Sequence, residues 1–111
     1  MVHHILIVED ARPVSDVIFD FLEAEGYICE VAGDGQEAIE LLKKKTYDLI
    51  LTDLRLPGAN GFEVVEAANK THPQSPKIIM TAYTDMDDAL RAIRLGAYDF
   101  IQKPIRNLWE L

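Results

Sequence analysis

One cysteine, Cys29, stands in 111 residues. A disulfide within the chain needs two, and a cysteine-rich zinc site needs more, so both are excluded. Positive charge is also short: 11 Lys and Arg face 19 Asp and Glu, a formal net charge of −8. Binding to phosphate backbones needs clustered Lys and Arg, so nucleic acid is not expected as a direct partner. No apolar run approaches the roughly 20 residues that span a bilayer. The opening Met1-Val-His-His lacks the charged region and cleavage site of a signal peptide. A cytoplasmic protein with no membrane partner is the expectation. Internal repeats, low-complexity segments and linkers are not seen either. What remains is a chain that is 49% apolar, enough for one packed core, in a length that suits one domain.

Apolar runs alternate with amphipathic stretches along that length. Ile5 to Val8 is a continuous apolar run followed by Glu9 and Asp10. Val14, Val17, Ile18, Phe21 and Leu22 then recur on one face of a helix, with Pro13 suited to its first turn and Gly26 to its stop. Tyr27 to Val31 reads as a second strand. Asp34 with Glu37 forms a capping-box pattern ahead of Ala38, Ile39 and Leu42. Leu49 to Leu51 is a third strand ending at Asp53, and the turn-rich Leu54–Gly61 follows it. Asn60 and Glu63 predict another helix start, with Phe62, Val65 and Ala68 facing inward. Ile78 to Met80 is a fourth strand leading into Thr81. Met86, Ala89, Leu90 and Ile93 make a fourth helix stopped by Gly96, and Tyr98 to Ile101 a fifth strand leading to Lys103. Asn107 and Glu110 predict the start of a fifth helix, of which one turn is present. Strands alternating with helices predict a doubly wound α/β fold, a parallel sheet covered on both faces.

In such a sheet, ligands bind beyond the carboxyl ends of the strands, at the point where the chain order reverses. The residues falling there are Glu9 and Asp10 after strand one, Asp53 after strand three, Thr81 after strand four and Lys103 after strand five. Two carboxylates about 4 Å apart repel by roughly 4 kcal/mol at an effective dielectric near 20. Three of them call for a cation, and oxygen-only ligands suit a hard one such as Mg²⁺. Such an ion can bridge to a phosphoryl group, Thr81 can donate to its oxygens, and Lys103 supplies positive charge. An aspartate carboxylate can itself act as nucleophile and form an aspartyl phosphate.

At these residues the sequence resembles the receiver domain of bacterial two-component response regulators. The matching pieces are Ile5-Leu-Ile-Val-Glu-Asp10, Asp53-Leu-Arg-Leu-Pro-Gly58, Gly61, Met80-Thr-Ala82 and Gly96-Ala-Tyr-Asp-Phe-Ile-Gln-Lys-Pro104. The last stretch looks most like receivers attached to AAA+-type transcriptional activators or to signalling kinases. The resemblance implies a flavodoxin-like five-stranded parallel sheet in the order 2-1-3-4-5, with helix five truncated. It implies a single receiver domain over residues 1–111, the N-terminal part of a longer protein. Asp53 would accept a phosphoryl group from a phosphohistidine on a sensor kinase or phosphotransfer protein. Asp10, Asp53 and the backbone carbonyl of Arg55 would ligate Mg²⁺, with Glu9 acting mostly through water. Thr81 and Lys103 would bind the phosphoryl oxygens, and a cis peptide before Pro104 would aim Lys103 inward. Thr81 and Phe100 would form the switch, and the face of helix four, strand five and helix five would change its affinity for an output domain beyond residue 111. A homodimer formed on phosphorylation is a further candidate partner. The role is regulatory, without turnover of a separate substrate. Phe100 has no hydroxyl to lock an inward state by a hydrogen bond. Arg55 and Tyr83 occupy positions that tune dephosphorylation in the family, and their bulk predicts slow loss of the phosphoryl group.

Rival readings fit less well. A haloacid-dehalogenase-type phosphatase resembles an Asp-x-Asp motif, and Arg55 stands where its second acid belongs. A flavin-binding module needs a phosphate loop after the first strand, where Glu9 and Asp10 would repel a phosphate. A pseudo-receiver would not need the five site residues intact. His3, His4 and His72 read as surface or strand-end histidines, Lys43 to Lys45 as a solvated helix end, and Cys29 as a small buried hydrophobe.

Overall fold

The computed structural model describes residues 3–82 and 86–103. Five strands and four helices alternate: β1 His4–Val8, α1 Arg12–Ala24, β2 Ile28–Ala32, α2 Gly35–Lys44, β3 Leu49–Asp53, α3 Gly61–Thr71, β4 Lys77–Ala82, α4 Met86–Arg94 and β5 Asp99–Lys103. The strands form one parallel sheet in the order β2-β1-β3-β4-β5. The predicted doubly wound fold and strand order are therefore those observed. Helix five, Tyr83 and Pro104 lie outside the described residues.

The inner strands β1, β3 and β4 are largely buried on both faces, the edge strands β2 and β5 are part-exposed, and alternate residues serve different layers. Leu6, Val8 and Ile50 pack with Ala38 and Leu42 of α2 and with Val64 and Ala68 of α3. Ile5, Ile7, Leu51 and Met80 point the other way, onto Ile18 and Leu22 of α1. Ile79 joins Val65 of α3 and Ala92 of α4 in a third cluster. Capping sets the helix starts. In α3, the Asn60 side chain accepts from the Glu63 N–H at 3.0 Å while Glu63 accepts from the Asn60 N–H at 3.3 Å. In α2, Asp34 accepts from the Glu37 N–H at 2.7 Å, but the Glu37 carboxylate reaches one residue further back, to the Gly33 N–H. The predicted box is half reciprocal there.

Several side chains sit differently from the sequence reading. The buried stripe of α1 runs through Ser15, Ile18 and Leu22, and Val17 is exposed at its flank. The small Ser15 lets the helix approach the sheet closely, which moves the contact line away from Val17. In α3, Val64 is fully buried and Phe62 only partly so. Leu90 is half exposed, and Tyr98 stands just before β5 rather than in the strand, 73% exposed. Cys29 is only half-buried, and burial and the Glu23 charge push its thiol up to about 11, so it is not a reactive thiolate. Its backbone N–H, on the edge strand β2, donates to Glu23 Oε2 at 2.7 Å, which blocks one donor of the open edge.

The edge of the sheet at the strand N-termini holds a polar network. His72 is buried, with Nε2 3.0 Å from the Lys45 carbonyl and Nδ1 2.7 Å from the Thr71 hydroxyl, so it is not the surface histidine expected from sequence. Lys77 is buried too, and its Nζ donates to the His72 carbonyl at 2.7 Å; burial lowers its pKa. Tyr47 donates to Glu30 at 2.7 Å, and Lys45 joins Glu30 at 3.0 Å. The tyrosine bond, then the lysine bond, hold the Glu30 carboxyl below its ordinary value of 4.5. A carboxyl with a depressed folded-state pKa stabilises the fold above that ordinary value and loses the contribution as pH falls below it. Tyr47→Phe is expected to cost about 1 kcal/mol at pH 7 and markedly less near pH 3. Urea midpoints at the two pH values check this; an equal loss at both would sink the assignment.

Candidate functional site

The C-terminal ends of β1, β3, β4 and β5 lie side by side because all four strands run parallel. β1 and β3 are neighbours, and their connections leave in opposite directions, β1 toward β2 and β3 toward β4. A crevice opens at that reversal. Glu9 follows β1 directly; its N–H donates to the Ala32 carbonyl at 3.0 Å, and its side chain is 1% exposed. Its Oε2 accepts from the Ala11 N–H at 3.2 Å. Asp10 is exposed at the rim. Asp53 ends β3, 6% exposed, and its Oδ1 accepts from the Arg55 N–H at 3.1 Å. One carboxylate oxygen from each of Glu9, Asp10 and Asp53 lies within 4.8 Å of the others.

The peptide that carries Asp53 is held from several sides. Thr52, fully buried, donates its hydroxyl to the Asp53 carbonyl at 2.9 Å. Gly61 N–H donates to the Leu54 carbonyl at 3.0 Å. A side chain at Gly61 would run into the Asp53 carbonyl, so the start of α3 rests directly on the acid's own backbone. Thr81 is buried at the end of β4, one residue beyond Met80, the register partner of Asp53. The backbone of Lys103 pairs with Ala82 in the next strand, which brings it to the same edge. Its side chain lies outside the described residues. Phe100 is half-buried against the cluster of Leu54, Val65, Ile79 and Ala92.

The structure thus brings Glu9, Asp10 and Asp53 together, as the sequence predicts, with Thr81 and the Lys103 backbone at the same end of the sheet. The donor set is all oxygen and all anionic, two of its three carboxylates are buried, and such a set fits a hard divalent cation. One neighbour of the site was not legible. The Arg55 guanidinium lies 3.5 Å from Asp88 in the first turn of α4, 33 residues along the chain. Asp87 and Asp88 both stand in the first turn of α4, where acids suit a helix N-terminus.

A doubly wound α/β domain with an acidic crevice at its switch point is the class that fold and site define. Residues 5–109 match the family described as the response regulator receiver domain, and the chain belongs to that family. Membership is consistent with a phosphoacceptor role in two-component signalling. It is 42% identical over 98 residues to the luminescence regulatory protein LuxO of Vibrio campbellii, covering 88% of this chain and 22% of LuxO. It is 37% identical over 98 residues to the DNA-binding transcriptional regulator NtrC of Escherichia coli K12, covering 88% of this chain and 21% of NtrC. The chain therefore spans about a fifth of the length of these curated relatives. Among solved structures, a CheY-like receiver domain protein from Methanospirillum hungatei JF-1 superposes with a TM-score of 0.92 at 32% identity, over 99% of this chain and 87% of that one. The receiver domain of a LuxO repressor protein from Vibrio parahaemolyticus gives 0.88 at 30% identity, over 99% and 84%. No helix among the described residues is long and apolar enough to cross a membrane.

Proposed function

We propose that Asp53 is the residue that receives the phosphoryl group, from a phosphohistidine on a sensor kinase or phosphotransfer protein. A carboxylate oxygen of Asp53 attacks phosphorus, the new P–O bond forms as the P–N bond breaks, and the imidazole leaves with the electron pair. The observation that carries this is the meeting of three carboxylates within 4.8 Å at the switch point, with Asp53 buried and its backbone held rigidly. Asp10, Asp53 and the Arg55 carbonyl would hold Mg²⁺, with Glu9 mostly through water. Bound there, the ion supplies neutralising charge for the carboxylates and for the phosphoryl oxygens. The Arg55 N–H on Asp53 Oδ1 keeps that peptide beside the carboxylate. The Thr81 hydroxyl and the Lys103 ammonium bind the phosphoryl oxygens. Arg55 and Tyr83 set how long the group survives.

The same reading gives the output. Thr81 drawn toward the phosphoryl group leaves space that Phe100 enters, and the face of α4, β5 and the predicted fifth helix changes its affinity for a partner. That partner is an output domain beyond residue 111 or a second copy of the chain, with residues 1–111 as one regulatory domain of a longer cytoplasmic protein. No separate substrate is turned over. Incubation with Mg²⁺ and acetyl phosphate, followed by intact mass measurement, tests the core of this reading. One added phosphoryl group is expected with Mg²⁺ and none with excess chelator. Uptake that ignores Mg²⁺, or no uptake at all, would overturn it.

A further inference from the structure

Helix α4 is anchored unevenly. Its fully buried side chains among the described residues are Ala89 and Ala92, whose methyls offer little apolar area, with Ile93 partly buried beside them. Its C-terminal end is fixed well. Asn69 of α3 donates to the Leu95 carbonyl at 2.9 Å, and Gly96, at φ +119°, has no room for a side chain against Asn69. Among the described residues, two charged side chains of the helix reach toward neighbouring elements. Arg91 places its guanidinium 4.5 Å from the centre of the Phe62 ring. Asp88, in the first turn, lies 3.5 Å from Arg55, whose backbone N–H is on the Asp53 carboxylate. The residue that touches the phosphoacceptor is therefore also tied to the first turn of α4.

We propose that the Arg55–Asp88 ion pair is a latch that a phosphoryl group on Asp53 opens. This rests on the reading of Asp53 as phosphoacceptor. A phosphoryl group brings a charge of about −1.5 to −2 and three acceptor oxygens. A guanidinium binds such a group through two parallel hydrogen bonds, stronger than an ion pair with the half-exposed Asp88. Arg55 changes partner, the first turn of α4 is released, and the helix pivots about the end fixed by Asn69. The latch thus joins the chemistry at Asp53 to α4 by a route separate from Thr81 and Phe100.

Hydrogen exchange of the amides of residues 90–94 tests it, with phosphorylation of each variant read by intact mass. In the wild type, phosphorylation is expected to speed exchange about two- to five-fold, the range for releasing one exposed ion pair. Asp88→Asn should show that faster exchange already without phosphorylation, and phosphorylation should then add little. Asp88→Glu should behave as wild type. In an Arg55→Ala background, Asp88→Asn should change nothing further, since the pair is already broken. Exchange in unphosphorylated Asp88→Asn equal to wild type, or a full response to phosphorylation in that variant, would overturn the latch. Uptake of a phosphoryl group with either result leaves the Asp53 reading standing; no uptake by the wild type removes both.

Discussion

Gly61→Ala is expected to lower stability by about 3 kcal/mol, the upper end for forcing a methyl into a packed site, and to slow phosphoryl uptake at Asp53 by roughly a hundred-fold. The cause is space rather than backbone conformation, because Gly61 is not among the residues with positive φ. A Cβ there would overlap the Asp53 carbonyl and stand 2.5 Å from Leu54 Cα. Both obstacles are backbone, so no rotamer change relieves them. If α3 moves away, the Asn60–Glu63 capping box and the packing of Val64 and Val65 are disturbed. If the strand end moves instead, the Asp53 carboxylate leaves Glu9 and Asp10, and misplacement near 1 Å is what costs a hundred-fold in rate. Gly26→Ala makes the contrast. Gly26 has φ +97° and nothing within 4 Å of the added methyl, so about 1–2 kcal/mol of conformational strain is expected and no change in uptake. Urea midpoints and the rate of mass gain with acetyl phosphate and Mg²⁺ separate the two variants. A wild-type midpoint for Gly61→Ala would refute the steric argument.

That contact shows which parts of the site a linear reading reaches. The strands and helices were legible because their apolar periods are strong and their punctuation is clear, as in the Asn60–Glu63 box and the stop at Gly26. The carboxylate cluster was legible because parallel strands place their C-terminal ends at one edge, so position within the chain translates into position in space. Contacts between elements are a different matter. Nothing near Asp88 in sequence distinguishes it from Asp87, yet one of the pair meets Arg55 across the crevice. His72 looked like a surface residue because its partners, the Lys45 carbonyl and the Thr71 hydroxyl, are a backbone atom and a neighbour with no metal or acid signature. Helix faces were right to within one residue. Val64 is buried in α3 while Phe62 is only partly so, and Val17 falls outside the contact line of α1, whose approach is set by the small Ser15 that hydrophobicity does not reveal.

Asp53→Asn should abolish phosphoryl uptake while making the metal-free protein more stable. The first effect follows from chemistry: an amide offers no carboxylate oxygen to attack phosphorus, so no acyl phosphate forms. The second follows from charge. Asp53 and Glu9 are both buried, and with Asp10 their oxygens lie within 4.8 Å. Removing one charge of three relieves two repulsive pairs. Each is worth up to roughly 4 kcal/mol at 4 Å and an effective dielectric near 20. Solvent screening at the exposed Asp10 reduces the net gain to about 1–2 kcal/mol. The Asn side-chain oxygen still accepts from the Arg55 N–H, so the local backbone is kept. Mg²⁺ reverses the order of the argument, since a ligand that binds only the folded state stabilises it by RT ln(1 + [L]/Kd). The wild type should gain stability as Mg²⁺ is added, and the variant, with one ligand weakened, should gain less. Urea denaturation with chelator and again with millimolar Mg²⁺ reads both effects. A wild type as stable as the variant in chelator, with no response to Mg²⁺ in either, would mean that these carboxylates neither strain the fold nor hold a cation.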